Sequence, residues 1–322
     1  LELYCRRCVH RSCGIFCLLC EAVRLLIFVF SGVFKMKAVI IVDHKLVWSD
    51  VPDPVRKEGE ILIEVKAAGV NRADLMQRDG NYPPPPGWPE WPGLECSGIV
   101  LEADEDCRFK VGDKVCALLG GGGYAERVVV PEGMVMSMPE GLSFAEAASL
   151  PETFATSYLN LRLEAGMKSG DKVFIQAGAS GLGISAIQLA KAYGADVITS
   201  VGSDSKAEFV RSLGADVVVN HRKESIAEAF RDFPPNIAMD CVCGPNLGAC
   251  LENMARGGRW IVIATLGGDK CTIDMGKFFR LGVRLIGSTL RSRSSEEKAS
   301  ILASLERDFW PKFASGTIRP VI

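Results

Sequence analysis

The rhythm of apolar and polar positions changes once along this chain, near residue 150. From Met36 to that point the apolar residues fall in short alternating or continuous runs: MKAVIIV, KLVWSDV, EILIEVKAAGV, GLECSGIVLEA, GDKVCAL. Glycine and proline separate them, which predicts short strands joined by turns. NRADLMQRDG reads as a short helix closing on a glycine, and GNYPPPPGWPEWPG as a rigid proline loop walling a cleft. GGGGYAERVVVPEG adds a glycine turn and another strand. From about residue 152, apolar runs alternate with helical patterns. KVFIQAG, DVITSV, DVVVN, NIAMDCV, RWIVIAT and VRLIGST are the predicted strands. GISAIQLAKAYG, SKAEFVRSLG, ESIAEAF and NLGACLENMA are the helices between them. That alternation predicts right-handed crossovers and a doubly wound parallel sheet. The fold class is α/β, with a β-rich part before it.

Within AGASGLGISAIQLAK, the spacing Gly181-x-Gly183-x-x-Ala186 follows an apolar strand and opens a helix. Gly181 and Gly183 would let the backbone approach a pyrophosphate. The helix start offers unpaired N–H groups, and Ala186 permits close helix–strand packing. An ordinary glycine turn is the alternative. Ser180 is not a nucleophile elbow, because Leu182 stands where GxSxG requires glycine. About twenty residues on, DVITSV runs into Gly202-Ser203-Asp204-Ser205-Lys206. Small residues, a hydroxyl and a cation occupy the place where an NAD site prefers a carboxylate. Ser203 and Lys206 as phosphate donors favour NADP. Against this stand a capping box at Ser205-x-x-Glu208, a merely solvated Lys206, and the carboxylate of Asp204.

Charge and composition narrow the classes. A formal net charge of −2 argues against a broad grip on nucleic acid or on acidic lipid. The only histidines are His10, His44 and His221, too few and too scattered for a histidine-built metal site. Five of the twelve cysteines lie in the first twenty residues, and the other seven form no CxxC pair. Those seven read as reduced thiols of a cytoplasmic protein. Residues 1–35 stand apart as a leader. Their CxxC pairs, Cys5/Cys8 and Cys17/Cys20, enclose a short apolar loop unlike usual zinc spacing, and Glu21 and Arg24 interrupt the run that would have to span a membrane. A targeting role is open, and translated sequence upstream of Met36 is the favoured reading.

Taken together, AAGVNRADLMQRDGNYPPPPG, GLECSG, VGDKVCALLGGGGYAERVVVPEG, AGASGLGISAIQLAK, GSDSKAEFVRSLGADVVVNHR and STLRSRS resemble the medium-chain dehydrogenase/reductase superfamily. More narrowly they are similar to its zinc-independent quinone oxidoreductases, the p53-inducible group above all. The resemblance implies a GroES-like catalytic domain over 36–151, a Rossmann domain over 152–289 and a return to the catalytic domain over 290–322, with substrate entering the cleft. Zinc-dependent cousins carry their Cys and His ligands where this chain has Asn71-Arg72-Ala73-Asp74 and Gly93-Leu94-Glu95, so no metal is expected. The resemblance puts Asn71 and Tyr82 near nicotinamide and substrate, with Met76 lining the substrate pocket. It puts Thr156 on the carboxamide, Ser180, Gly181 and Leu182 along the pyrophosphate, and Gly202, Ser203 and Lys206 around the NADPH phosphate. His221, beside Arg222, replaces a tyrosine that stacks near the adenosine. Relatives continue beyond IRPVI through a further helix and strand. The implied reaction is hydride transfer from NADPH to a quinone or to the β-carbon of an enone, by positioning in a partly dry cleft. Tyr82 is the candidate to hydrogen-bond the carbonyl or relay a proton, unless it only packs against the proline loop. A homodimer is implied, joined through the edge of the Rossmann sheet, for which VRLIGST is the candidate. A non-catalytic nucleotide- or RNA-binding homologue is the alternative function.

Overall fold

The computed structural model describes residues 35–322, so the CxxC pairs of the leader and His10 lie outside the described residues. A hairpin of β1 (Lys35–Val42) and β2 (Lys45–Pro52) precedes a five-stranded antiparallel sheet. That sheet is built from β3 (Glu60–Ala68), β4 (Glu95–Glu102), β5 (Lys114–Leu118), β6 (Arg127–Pro131) and β7 (Val135–Ser137), in the order β6-β3-β4-β5-β7. Ile61 and Ile63 alternate into its core, as the period of two requires. The long connection from β3 to β4 carries α1 (Arg72–Arg78) and then the proline loop. Two short helices follow, α2 (Phe144–Ala148) and α3 (Pro151–Tyr158). Pro151 sits at the first helical position, where its missing N–H costs nothing.

The second sheet has six parallel strands: β8 (Lys172–Ile175), β9 (Asp196–Val201), β10 (Val217–Asn220), β11 (Ile237–Asp240), β12 (Arg259–Val262) and β13 (Arg284–Gly287). Helices α4 (Gly181–Ala192), α5 (Asp204–Ser212), α6 (Ile226–Asp232), α7 (Leu247–Leu251) and α8 (Met275–Leu281) connect them. The order is β10-β9-β8-β11-β12-β13, so the winding reverses between β8 and β11, beside the glycine loop. The inner strands are apolar and buried on both faces, as parallel strands covered by helices must be. The expected doubly wound sheet is thus present, with VRLIGST at an edge as β13.

Two local expectations are corrected. NLGACLENMA forms only the short helix α7. The cap of α5 is Ser203 and not Ser205: Ser203 is extended (φ −159°, ψ 160°) and its Oγ accepts from the Lys206 amide, which leaves Ser205 inside the helix. After β13, α9 (Ser295–Ala314) packs back on the first half of the chain. There Trp310 Nε1 donates to the Ser137 carbonyl at 2.5 Å, the Ser137 amide donates to Glu306 at 2.9 Å, and Phe313 meets Phe154 edge to face at 5.3 Å. No helix among the described residues is long and apolar enough to cross a membrane.

Candidate active site

The chain leaves β8 through Ala177, at φ 56°, and enters α4 at Gly181. The glycines here differ in what surrounds them. A Cβ on Gly183 would lie 2.4 Å from the Ala177 carbonyl oxygen and 2.6 Å from Gly178 Cα, so Gly183 serves close packing of the helix on its own loop. A Cβ on Gly178 would lie 2.1 Å from Thr199 Oγ1, which makes Gly178 a required glycine that the motif spacing did not single out. Gly181 is different: the nearest atom to its Cβ position is Thr153 Cγ2 at 3.7 Å. Ser180 caps the helix, its Oγ accepting from the Gly183 amide at 3.0 Å and donating to the Ala177 carbonyl at 2.8 Å. The amides of Gly181 and Leu182, at the first two helical positions, have no intrahelical acceptor.

At the tip of β9, Gly202 forms a floor. A Cβ there would meet His221 Cε1 at 3.3 Å and Arg222 Nε at 3.6 Å, so imidazole and guanidinium both lean over it. Asp204 is not a free carboxylate. Lys223 Nζ donates to it at 2.6 Å and Asn220 Nδ2 at 2.8 Å, and these bonds hold it below the usual carboxylate range. Ser203 Oγ is engaged by the Lys206 amide, while the Lys206 side chain is exposed.

Between the two sheets lies a cavity of about 890 Å³. It brings together Asn71, Met76, Tyr82, Thr156, Ser180, Gly181 and Leu182. Gly183 is not on its wall, and Gly202, Ser203, Lys206 and His221 lie outside it around the tip of β9. Asn71 begins α1. Its amide N–H donates to Asp74 at 2.7 Å, and its side-chain Nδ2 donates to Glu95 Oε1 at 2.9 Å. Asp74 also accepts from the Tyr124 hydroxyl at 2.7 Å and the Gly93 amide at 3.1 Å, which fixes the start of α1 against the proline loop.

Glu95 is the hub of this corner. It is 2% exposed, and its second oxygen accepts the Glu152 amide at 2.8 Å. Helix α3 begins after Leu150, which has no oxygen to cap with, so Glu95 caps it from another element. A Cβ on Gly69 would fall 2.2 Å from Glu95 Oε1, so that glycine makes the room. Burial pushes the Glu95 carboxyl up to about 8, against the Glu152 amide and the Asn71 side chain, which pull it down. Burial likewise pushes Glu152, on the cavity wall, up to about 7, with Lys298 and the Thr156 hydroxyl opposing. Thr156 Oγ1 donates to Glu152 at 3.4 Å.

Tyr82 is not simply packed on prolines. The Arg291 guanidinium lies 3.9 Å above its ring centre, and Arg291 Nη2 donates to the Pro83 carbonyl at 2.5 Å. Burial raises the phenol's pKa and the Arg291 charge works against that rise. Sequence reasoning missed Glu95, Glu152 and Arg291 as site residues. Glu95 had a readable signal, a lone charge among the apolar residues of GLECSG. Arg291 had none, since 208 residues separate it from Pro83. Among the described residues no group of three or more His, Cys, Asp or Glu side chains could hold a metal ion.

Comparison with known proteins agrees with this architecture. Residues 181–306 match a family model described as zinc-binding dehydrogenase, and residues 57–140 match the alcohol dehydrogenase GroES-like domain. The quinone oxidoreductase of Sus scrofa is 31% identical over 280 residues, 85% of this chain and 83% of that protein. The synaptic vesicle membrane protein VAT-1 homolog-like of Mus musculus is 32% identical over 234 residues, 71% of this chain. The chain spans 56% of that relative's length. Among solved structures, the quinone oxidoreductase from Thermus thermophilus, also solved in complex with NADPH, matches with a TM-score of 0.75 and 29% identity, over 90% of each chain.

Proposed function

We propose, from the premise that the chain belongs to the medium-chain dehydrogenase/reductase superfamily, that it is an NADPH-dependent reductase of quinones or α,β-unsaturated carbonyls. One observation carries this reading. The open helix start at Gly181, at the switch point of the parallel sheet, shares a cavity with Asn71 and Tyr82. A dinucleotide-binding end and a polar acceptor end therefore meet in one space.

The residues present fit the cofactor. The amides of Gly181 and Leu182 suit a diphosphate, and the Gly181 Cβ position is unoccupied. At the other end, Gly202 under Arg222, with Ser203 and Lys206 beside it, suits a 2′-phosphate. Asp204, the carboxylate next to Ser203, is already bound to Lys223 and Asn220. When bound, the reduced nicotinamide supplies a hydride. The chain's own part is to hold and orient. With its proton directed at Glu152, the Thr156 hydroxyl keeps its lone pairs for a carboxamide N–H. With Nδ2 directed at Glu95, Asn71 turns its carbonyl oxygen the other way. Tyr82, whose phenol burial pushes further above its ordinary value, can donate to an acceptor carbonyl. The seven free cysteines among the described residues support a reducing, cytoplasmic setting.

The test is a fluorescence titration with NADPH and with NADH. NADPH should bind at least about tenfold tighter, a difference of roughly 1.4 kcal/mol, and Arg222→Ala should narrow the gap. Turnover with a quinone and an enone, followed by product analysis, then assigns the acceptor. A chain that binds neither nucleotide overturns the reading.

A further inference from the structure

One partly buried arginine on the cavity wall lacks a carboxylate partner among the described residues. Arg293 is paired with both Glu164 and Glu297, as most partly buried arginines among the described residues are paired. Arg291, two residues earlier and on the cavity wall, has no carboxylate within 4.0 Å among the described residues. Its partners are neutral: the face of the Tyr82 ring and the Pro83 carbonyl. From behind, the buried Lys298 ammonium donates to the Arg291 carbonyl at 3.0 Å, and Lys298 also lacks a carboxylate within 4.0 Å. Arginine keeps its charge at any physiological pH, and its fork of donors suits an oxyanion. Of the cleft's carboxyls, burial holds Glu95 toward its neutral form, and it raises Glu152 to about 7 against the pull of Lys298 and Arg291, so Glu152 answers the charge only in part.

We propose that Arg291 is a further catalytic residue, whose guanidinium, steadied over Tyr82 and tied to Pro83, stabilises the negative charge that develops on the acceptor's oxygen. This rests on the reductase reading above. In that reaction an enone gains a C–H bond at its β-carbon, with the electron pair of the hydride coming from reduced nicotinamide, which is oxidised. The displaced π pair moves to the carbonyl oxygen as an enolate, and a proton from water completes the reduced ketone. A quinone reduced by the same two electrons becomes a hydroquinone monoanion, then takes its proton. In both, the anion forms in a partly dry space, where an aimed cation acts strongly.

The experiment uses 4-nitrophenol, a non-reducible ring whose anion absorbs in the visible, on the full chain with NADPH or NADP present. The wild type should bind the phenolate in preference to the phenol, seen as visible absorbance at a pH where the free compound is mostly neutral. Arg291→Met should lose that preference while titrating NADPH as the wild type does, and its kcat for quinone or enone should fall by roughly 100-fold. Arg291→Lys should recover part of both. Lys298→Met, which removes the backing charge and its hydrogen bond to the Arg291 carbonyl but leaves the guanidinium, is a second variant should Arg291→Met fail to fold, and it should weaken the phenolate preference less. Phenolate binding unchanged in Arg291→Met overturns the proposal. Phenolate binding that depends on Arg291 in a chain that reduces no acceptor would instead uphold the anion site and sink the reductase reading.

Discussion

Glu95 lies at the first position of β4, shut off from water, with one donor on each of its oxygens. The helix start at Glu152 favours its anion, yet burial is the larger effect and moves its pKa from the ordinary carboxylate value of 4.5 to about 8. The folded chain therefore holds a proton that the unfolded chain releases near its ordinary value. For an acid shifted upward, that contribution to stability is complete below the unfolded pKa and is lost as pH rises through the folded one. Glu152, raised to about 7, acts in the same direction. The thermal midpoint should thus fall as pH rises from about 5 to about 8. Each kcal/mol lost moves it by roughly 2–4 °C for a domain of ordinary size. Glu95→Gln cannot ionise and still offers an oxygen to the Glu152 amide, so its midpoint should fall less over that range. Midpoints that decline equally in both proteins would show that Glu95 does not carry the proton. Because the amide at position 95 would turn Asn71 around, the same variant should also impair acceptor reduction while leaving NADPH affinity near wild type.

At the scale of elements, the glycine loop shows how one motif hides two kinds of glycine. Gly181 and Gly183 are equivalent as letters. In the fold, a methyl on Gly183 would collide with the backbone at Ala177 and Gly178, while a methyl on Gly181 meets only Thr153 at van der Waals distance. Gly183→Ala should therefore destabilise the chain by roughly 1–3 kcal/mol, the usual range for forced overpacking. Gly181→Ala should keep the unfolding midpoint and weaken NADPH binding on the order of tenfold. Urea unfolding and nucleotide titration of the two variants separate these outcomes, and a Gly181→Ala chain that binds NADPH as the wild type does would remove the loop from the cofactor site. The elements themselves were readable because each depends on local pattern. Six apolar runs became six parallel strands, and small residues at a strand end became the floor under His221 and Arg222. What could not be read depends on chain closure. Glu95 meets an amide 57 residues away, and Arg291 meets a carbonyl 208 residues away. No periodicity encodes such a meeting.

At the scale of the molecule, the parallel sheet ends on an open edge. Among the described residues β13 pairs only with β12, Leu285 on it is 42% exposed, and Phe279 and Met275 of the neighbouring α8 are 70% and 61% exposed. An unpaired edge flanked by apolar side chains is a template for a second strand, and an isologous pairing of two copies closes it with no edge left over there. We propose that two chains join through β13. The ladder suggests a substitution that tests the edge without disturbing the sheet. The Arg284 amide donates to Gly258 and the Ser288 amide to Val262, so in this regular parallel ladder the intervening Leu285 amide points outward to the open side. Leu285→Pro removes that outward donor and leaves the bonds to β12, the placement in which a sheet tolerates proline. Sedimentation at micromolar concentration should find a dimer for the wild type and a monomer for Leu285→Pro, with NADPH affinity retained because the glycine loop lies on the central strand of the same sheet. A monomeric wild type, or a Leu285→Pro chain that remains dimeric, would place the contact elsewhere and leave the apolar edge to be covered by another part of the protein.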